Sequence, residues 1–558
     1  MYNPVQTFLP VCTMNFDLSM EHLVRKPVES RRAYQHRRRL LALGMLFAAL
    51  LAGALAILLL GCGGGTPNAV SAPTPTPVSP LSAQDVKSII SAAALAVDGD
   101  TMAIAVADRR GNVLGVYNKP GVVPGTTKDI GNFSQSLDVD DVAVALARTA
   151  AYFSNDQAPL SSRTVRFISG IHFPPGVDNA PTADLYGIEN TNRGCTLATN
   201  FLPGQTIDPS TALSGAPGSG LGILTGKSKL DDSDPNAVNP GGVPIFRGSV
   251  VVGGIGVAGI PHDAAEFAAF KGATATGFSF VPTPLPDPGA VFIGGLALPL
   301  VNNTSKPPGA NPGADNGTYL PAHPATDSLG QPPENDLIQT VGAGMLTAAD
   351  VQTILDNATA TANKTRAAIR LPLNSAARMV IAVSDLNGTL IGLRRMPDAT
   401  VFSIDVAASK ARNMIYFNSA HRTANDLPGV PMGTAVTNRT ISFGAQPLFP
   451  PGITGSSAGP FYNLFLQDLA NPCTQGDDTL GFNNNESGIV FFPGSVGLYK
   501  NGVLVGGLGI SGDGVDQDDI VAASGTHDFL TPFTIRSDQF FFRGTRLPFV
   551  KFPRDPGL

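Results

Sequence analysis

The sequence predicts an α+β protein in which one unit, an antiparallel sheet packed with helices, is used twice. Three observations carry this. GGIGVAG at 253–259 returns as GGLGISG at 506–512. Apolar residues recur at helical spacing in some stretches of each unit and alternate at strand spacing in others. Short Asx/Gly turns join the strand-like runs, and strands joined by hairpins are antiparallel.

Taken in order, LSAQDVKSIISAAALAV (81–97) matches LTAADVQTILDNATATA (346–362). Each opens with a helix capped by Ser82 or Thr347 and carries Asp in its first turn. MAIAVADRRGNVLGVYNKPG (102–121) matches MVIAVSDLNGTLIGLRRMPD (379–398), two strands turning at Asp108–Gly111 and Asp385–Gly388. DVDDVAVALARTAAYFSND (138–156) then matches FSIDVAASKARNMIYFNSA (402–420), a second helix with Arg148 and Arg412 in register. Both copies next contain Phe-Pro-Pro-Gly, at 173–176 and 449–452. Each unit closes with a hairpin and a short helix, around 241–270 and 494–523; Lys500-Asn501-Gly502 is a type I′ turn signal.

The glycine spacing of Gly254, Gly256 and Gly259, and of Gly507, Gly509 and Gly512, imitates a dinucleotide fingerprint. That fingerprint needs a parallel strand–turn–helix and an acidic residue about 20 positions later. Here the glycines follow a hairpin, and GFSFVPTP and LTPFTI stand where the acid belongs. The glycines instead predict close backbone packing, most naturally between the two copies.

The ordered series LTxxDVxxI, IAVxDxxGxLxG, SIDVAxxKA and GxxGLxxNGxxVGGLGISGxxxxQDDxxA resembles the GlcG/HbpS-like haem-binding domain family, which includes the C-terminal domain of PduO-type proteins. The second copy carries it through Asp350, Asp385, Gly388, Ser403, Asp405, Lys410, Ala411, Gly502, Gly506, Gly507, Gly509, Ser511, Gly512, Gln517 and Asp518. The first copy departs, with Leu146 at the place of Lys410, Ala258 at Ser511 and Ala265 at Asp518. The resemblance implies two PAS/profilin-like domains forming a tandem pseudodimer, association into higher oligomers, and binding of haem or a related tetrapyrrole.

The implied organisation is a signal peptide over 1–62, a Pro/Thr-rich tether over 63–80, a first domain over 81–275 with an insertion at 158–240, and a Pro/Gly-rich linker over 276–340. A second domain follows over 341–530, with an insertion at 422–487, and then a C-terminal extension over 531–558 outside the repeat. That extension, with Phe540-Phe541-Phe542, reads either as a partner-binding segment or as a strand packed over an interdomain groove.

Five arginines from Arg31 to Arg39 precede an uncharged run, Leu40–Leu60, that ends at Gly61-Cys62. Leu59-Leu60-Gly61-Cys62 resembles a bacterial lipobox, which makes Cys62 a lipidation site; an uncleaved membrane anchor is the rival. Either way the remaining chain is exported to the bacterial cell envelope, on the periplasmic or cell-surface side. Beyond residue 61 the chain carries 30 Lys and Arg against 40 Asp and Glu, which argues against nucleic acid as a partner.

Cys195 and Cys473 lie at nearly equivalent places after the two Phe-Pro-Pro-Gly segments. In an oxidising compartment they form a disulfide across a pseudo-twofold axis or stay separately buried. No CxxCH, paired CxxC, HExxH or phosphate loop is present, so no covalent haem, thiolate metal site or catalytic centre is expected. A haem held without covalent attachment needs an axial donor such as imidazole. Of His172, His262, His323, His421 and His527, the candidates are His421, just after the central helix of copy two, and His172, before Phe-Pro-Pro-Gly in copy one. Neither is duplicated, and this favours the alternative of a structural or interaction protein that kept the scaffold and lost the ligand. Arg148/Arg412 and Arg163/Arg439 recur in both copies and are read as interdomain ion pairs or as propionate partners. Asp385 and Asp405 read as a turn Asx and a helix-start carboxylate; Asp518 and Asp519 are open to an acid/base or metal role.

Overall fold

The computed structural model describes residues 78–123, 127–129, 136–165, 168, 188, 191–192, 222–224, 240–293, 295–332, 334, 336–338, 345–450, 455–470 and 488–551. Cys62, the expected signal and tether but for residues 78–80, His172, Cys195 and Cys473 lie outside them. Among the described residues no helix is long and apolar enough to cross a membrane.

Helix α1, Ala83–Ala94, starts at a capping box in which Ser82 accepts from the Asp85 N–H and the Asp85 carboxylate accepts from the Ser82 N–H. Strands β1 (Ala103–Asp108) and β2 (Val113–Asn118) turn where Asp108 Oδ1 accepts from the Arg110 and Asn112 amides. Helix α2 spans Val139–Phe153, with Asp138 as N-cap. Strands β3 (Gly242–Arg247) and β4 (Val250–Ala258) and helix α3 (His262–Ala273) follow. The edge strand β5, Thr318–Tyr319, completes a sheet of order β3-β4-β1-β2-β5, antiparallel throughout.

The second copy repeats this plan. A two-residue strand β6, Leu337–Ile338, precedes α4 (Ala348–Ala362), β7 (Val380–Ser384), β8 (Leu390–Arg395) and α5 (Phe402–Asn418). Helices α6 (Asn438–Gly444) and α7 (Tyr462–Ala470) belong to the excursion, and β9 (Ser495–Lys500), β10 (Val503–Ser511) and α8 (Val515–Gly525) close the unit. The sheet order is β6-β8-β7-β10-β9. Thr347 and Asp350 form the capping box of α4, and Asp385 Oδ1 accepts from Asn387 and Thr389 as Asp108 does in copy one. The sheet irregularities also repeat: they fall at Val106/Ala107 and Val383/Ser384, and again at Ile245/Phe246 and Leu498/Tyr499.

Each sheet lies between two helical layers. In copy one, α1 and α3 cover Ile104 and Val106, whereas α2 covers Ala103, Ala105 and Ala107. This alternation explains the glycines. Gly256 pairs with Ala105 and Gly254 with Ala107 on the small-residue face, and a Cβ there would meet Ala143 O at 1.9 Å or Ala147 O at 2.3 Å. In copy two, Gly509 and Gly507 face Ala407 O and Ala411 O at 2.0 and 2.1 Å. The close approach is therefore between the last strand and the central helix of the same copy, not between copies. The third glycine differs: Gly259 has φ +88°, whereas in copy two the positive φ falls two residues later, at Gly514.

The expected linker and C-terminal extension turn out to be counterparts. Phe292–Ile293 pairs with Leu296–Ala297, and Phe541–Phe542 with Thr545–Arg546, each a tiny hairpin. Leu298-Pro299-Leu300-Val301 then corresponds to Leu547-Pro548-Phe549-Val550. Thr164 Oγ1 donates to Pro299 O and Thr440 Oγ1 to Pro548 O, both at 2.7 Å, while Ser161 and Thr437 donate to Leu300 O and Phe549 O. The extension is thus inside the repeat, and 276–340 supplies an edge strand to each sheet. Self-comparison of the sequence missed this because only Leu-Pro and Val match in the last four residues.

The copies touch, but not through a twofold axis. Phe153, at the end of α2, stacks on Phe402, at the start of α5, and the Val401 N–H donates to Tyr152 O at 2.9 Å. A twofold pair would also bring together their counterparts, Phe417 and Asp138. Instead Phe417 is buried under its own excursion with Leu427, Ile441 and Phe461, and Asp138 caps its own helix.

Candidate functional site

His421 follows the last turn of α5, half-buried, with its N–H on Ser419 Oγ at 3.2 Å. The loop after it is held from inside. Asp426 accepts from Tyr416 OH at 3.0 Å and from the Thr423 N–H at 2.7 Å; Arg422, almost fully buried, donates to Pro431 O at 2.7 Å and lies 3.6 Å from Met432 Sδ. Burial pushes the Arg422 pKa down against the opposing pull of Asp426. Imidazole, guanidinium and the half-exposed Met432 therefore share one loop. Beneath it, Met414, Tyr416, Ile441, Phe461, Phe465 and Phe491 form a buried apolar cluster.

The recurring arginines serve their own copies. Arg148 Nε donates to Gly111 O at 2.9 Å and Arg412 Nε to Gly388 O at 2.8 Å, closing the strand turn. Arg163 pairs with Glu266 at 2.7 Å, and Arg439 with Asp519 and Asp516. The ion pairs expected between domains are, for Arg163 and Arg439, made between adjoining helices of one unit. Asp385 is the expected turn Asx. Asp405 stands in the first turn of α5 but also accepts from the backbone N–H of Asn192, in the excursion of copy one, and burial pushes its pKa up to about 6.

Two buried charge groups complete the picture. Lys410 Nζ lies 2.9 Å from Asp518 and 2.7 Å from Ile510 O. Between the copies, Arg370 bonds Asp513 at 2.8 Å, Asp398 at 2.5 Å and Asn155 at 3.3 Å, while the Asp156 N–H reaches Asp398. Arg109, also fully buried, donates to Ala151 O, and burial with Arg395 nearby pushes it down to about 10. Sequence reading passed over this interface because Arg109 and Asp398 have Leu386 and Gly121 as their counterparts, so no repeat marked them. Among the described residues no group of three or more His, Cys, Asp or Glu side chains could hold a metal ion.

Residues 346–527 match the family model described as haem degrading protein HbpS-like, which is the second copy almost end to end. Among individual proteins, a 155-residue stretch is 28% identical to the corrinoid adenosyltransferase PduO of Citrobacter freundii, and equally to that of Salmonella typhimurium. The match covers 28% of this chain and 33% of either relative, so the chain spans about a third of the length of these curated relatives. Solved structures that it resembles include a PduOC:heme complex, 23% identical over 32% of this chain and 92% of the other, at a TM-score of 0.21. The Klebsiella pneumoniae protein ORFY is 19% identical over 34% and 94%, at 0.22.

Proposed function

We propose that the chain is an envelope protein, lipid-anchored at Cys62, whose second PAS/profilin-like domain binds haem or a related tetrapyrrole without catalysis. The match of residues 346–527 to a haem-related family carries this reading. At the loop surface His421 would supply an imidazole and the half-exposed Met432 a thioether, while Arg422, buried and bonded to Pro431 O, holds the loop that carries them. The apolar cluster under the loop gives these donors an apolar backing.

Titrating the full chain in detergent with haemin tests it. Saturable binding with a Soret shift that His421→Ala displaces is the expected result. Absence of a saturable Soret change would leave the second reading, a scaffold that works through contacts with envelope proteins, which the lack of a duplicated histidine favours. Loss of palmitate labelling in Cys62→Ser is the expected outcome for the anchor.

A further inference from the structure

The pair Lys410–Asp518 is an unusual thing to keep. Both residues are fully enclosed, with side chains 0% and 4% exposed. The corresponding pair in copy one is Leu146 and Ala265, both buried, so the fold closes well without any charge there. A buried ion pair of this kind is often no more stabilising than an apolar pair of the same volume. Stability alone therefore does not explain the pair.

The site is closely packed, and burial opposes both charges there although the Phe492 ring attracts the ammonium. The Phe492 ring centre lies 4.8 Å from Lys410 Nζ, and a Cβ on Gly494 would come within 2.6 Å of the same nitrogen. Burial lowers the Lys410 pKa and pushes Asp518 up to about 7, with the two groups opposing the shift in each other. Ile510 O accepts one amine hydrogen and so fixes the nitrogen beside the Asp518 carboxyl. Asp518 Oδ1 and Asp519 Oδ1 are both buried and have no hydrogen-bond partner. Asp519 is itself raised by burial, although Arg439 and the Lys551 N–H hold its other oxygen.

We infer that Lys410 and Asp518 condense to an intramolecular isopeptide bond that ties α5 to α8. The neutral Nζ attacks Cγ of the protonated Asp518, a C–N bond forms, the C–OH bond breaks, and one water leaves. Asp519 takes up the proton that the attacking nitrogen sheds and returns it to the departing hydroxyl. No oxidant or co-reactant is needed. The enclosed site holds the partners in contact and keeps bulk water from reversing the step.

Peptide mapping of the full chain, denatured and digested with trypsin, decides the matter. The expected product is a branched peptide joining the Lys410 and Asp518 regions, lighter by one water than the two linear peptides together and uncut after Lys410. Linear peptides accounting for the whole population, with normal cleavage after Lys410, would overturn the proposal, and this readout on the unaltered protein does not depend on any variant folding. Lys410→Arg should abolish the branched peptide. On refolding, Asp519→Asn should form it about a hundredfold more slowly, the usual scale of general acid catalysis. An unchanged rate would remove Asp519 from the reaction.

Discussion

Phe153 and Phe402 lie face to face, with centroids 3.9 Å apart and planes 9° from parallel, and they come from positions that are not equivalent in the two copies. The end of one central helix meets the start of the other, so the contact is head-to-tail. Such an interface does not close on itself as a twofold one does. Copy two covers the corresponding end of its own central helix with residues of 427–465, which leaves no room there for a third unit.

Phe402→Ala is expected to destabilise the chain by about 3 to 5 kcal/mol, the usual cost of deleting a buried aromatic ring. Asp138→Ala, at the corresponding place in copy one, should cost only about 1 kcal/mol as a lost N-cap. Urea unfolding followed by circular dichroism compares them. Because the ring lies between the copies, the Phe402 variant should also split the transition in two.

Acid should stabilise the fold. Burial pushes Asp156, Asp140 and Asp405 up to about 6, against an ordinary value of 3.8. Asp398 adds to the rise at Asp156, while Arg109, Arg370 and the Val251 N–H oppose it. A carboxyl with a raised folded pKa holds its proton more tightly folded than unfolded, so stability falls as pH rises through the interval between the two values. Between about pH 4 and 6 these three pull the same way, against the single opposing pull of His262, which burial lowers. The lowered carboxyls, Asp85, Asp315, Asp350 and Asp356, act at lower pH. The melting temperature should be higher at pH 5 than at pH 7.5, and Asp156→Asn should flatten that slope.

The closing flap should be indispensable to copy two. Removing residues from 532 onward exposes the core around Leu547 and Phe549, each worth about 1.5 to 3 kcal/mol in burial, and takes the carbonyl acceptors from Thr437 and Thr440. Asp516 and Asp519 would lose the Lys551 contacts as well. Limited proteolysis of the truncated chain should cut within 345–530 first and spare 81–275.

Local signals made much of this legible in the sequence. Ser82 and Thr347 announce their helices by side-chain chemistry acting three residues away, and Asp108 and Asp385 announce their turns in the same way. What stayed hidden depends on contacts across hundreds of residues. Nothing near Arg370 says that its partners are Asp513, Asp398 and Asn155, and nothing near Phe292 marks it as the counterpart of Phe541. Among the candidate ligands, His421 sits where its place after the helix put it, but only the structure shows the buried aromatic cluster beneath its loop.

The repeated glycines give the sharpest test of how each unit closes. A methyl group on Gly254 would lie 2.3 Å from Ala147 O and 2.8 Å from Ala151 N, and on Gly507 2.1 Å from Ala411 O. These are helix backbone atoms, which cannot swing aside as a side chain does. By contrast, Gly115 in β2 would meet nothing nearer than Val86 Cγ1 at 3.2 Å, the end of a side chain. Gly507→Ala should therefore cost at least the 1 to 3 kcal/mol or so usual for overpacking a core, and Gly115→Ala clearly less. Gly507→Val should lower the yield of folded protein outright, while leaving the packing of Phe153 on Phe402 undisturbed in any molecules that fold. Thermal unfolding of the alanine variants checks the ranking. Equal melting temperatures for Gly115→Ala and Gly507→Ala would mean that the helix can lift from the strand, and the small-residue face would then not be what seats it.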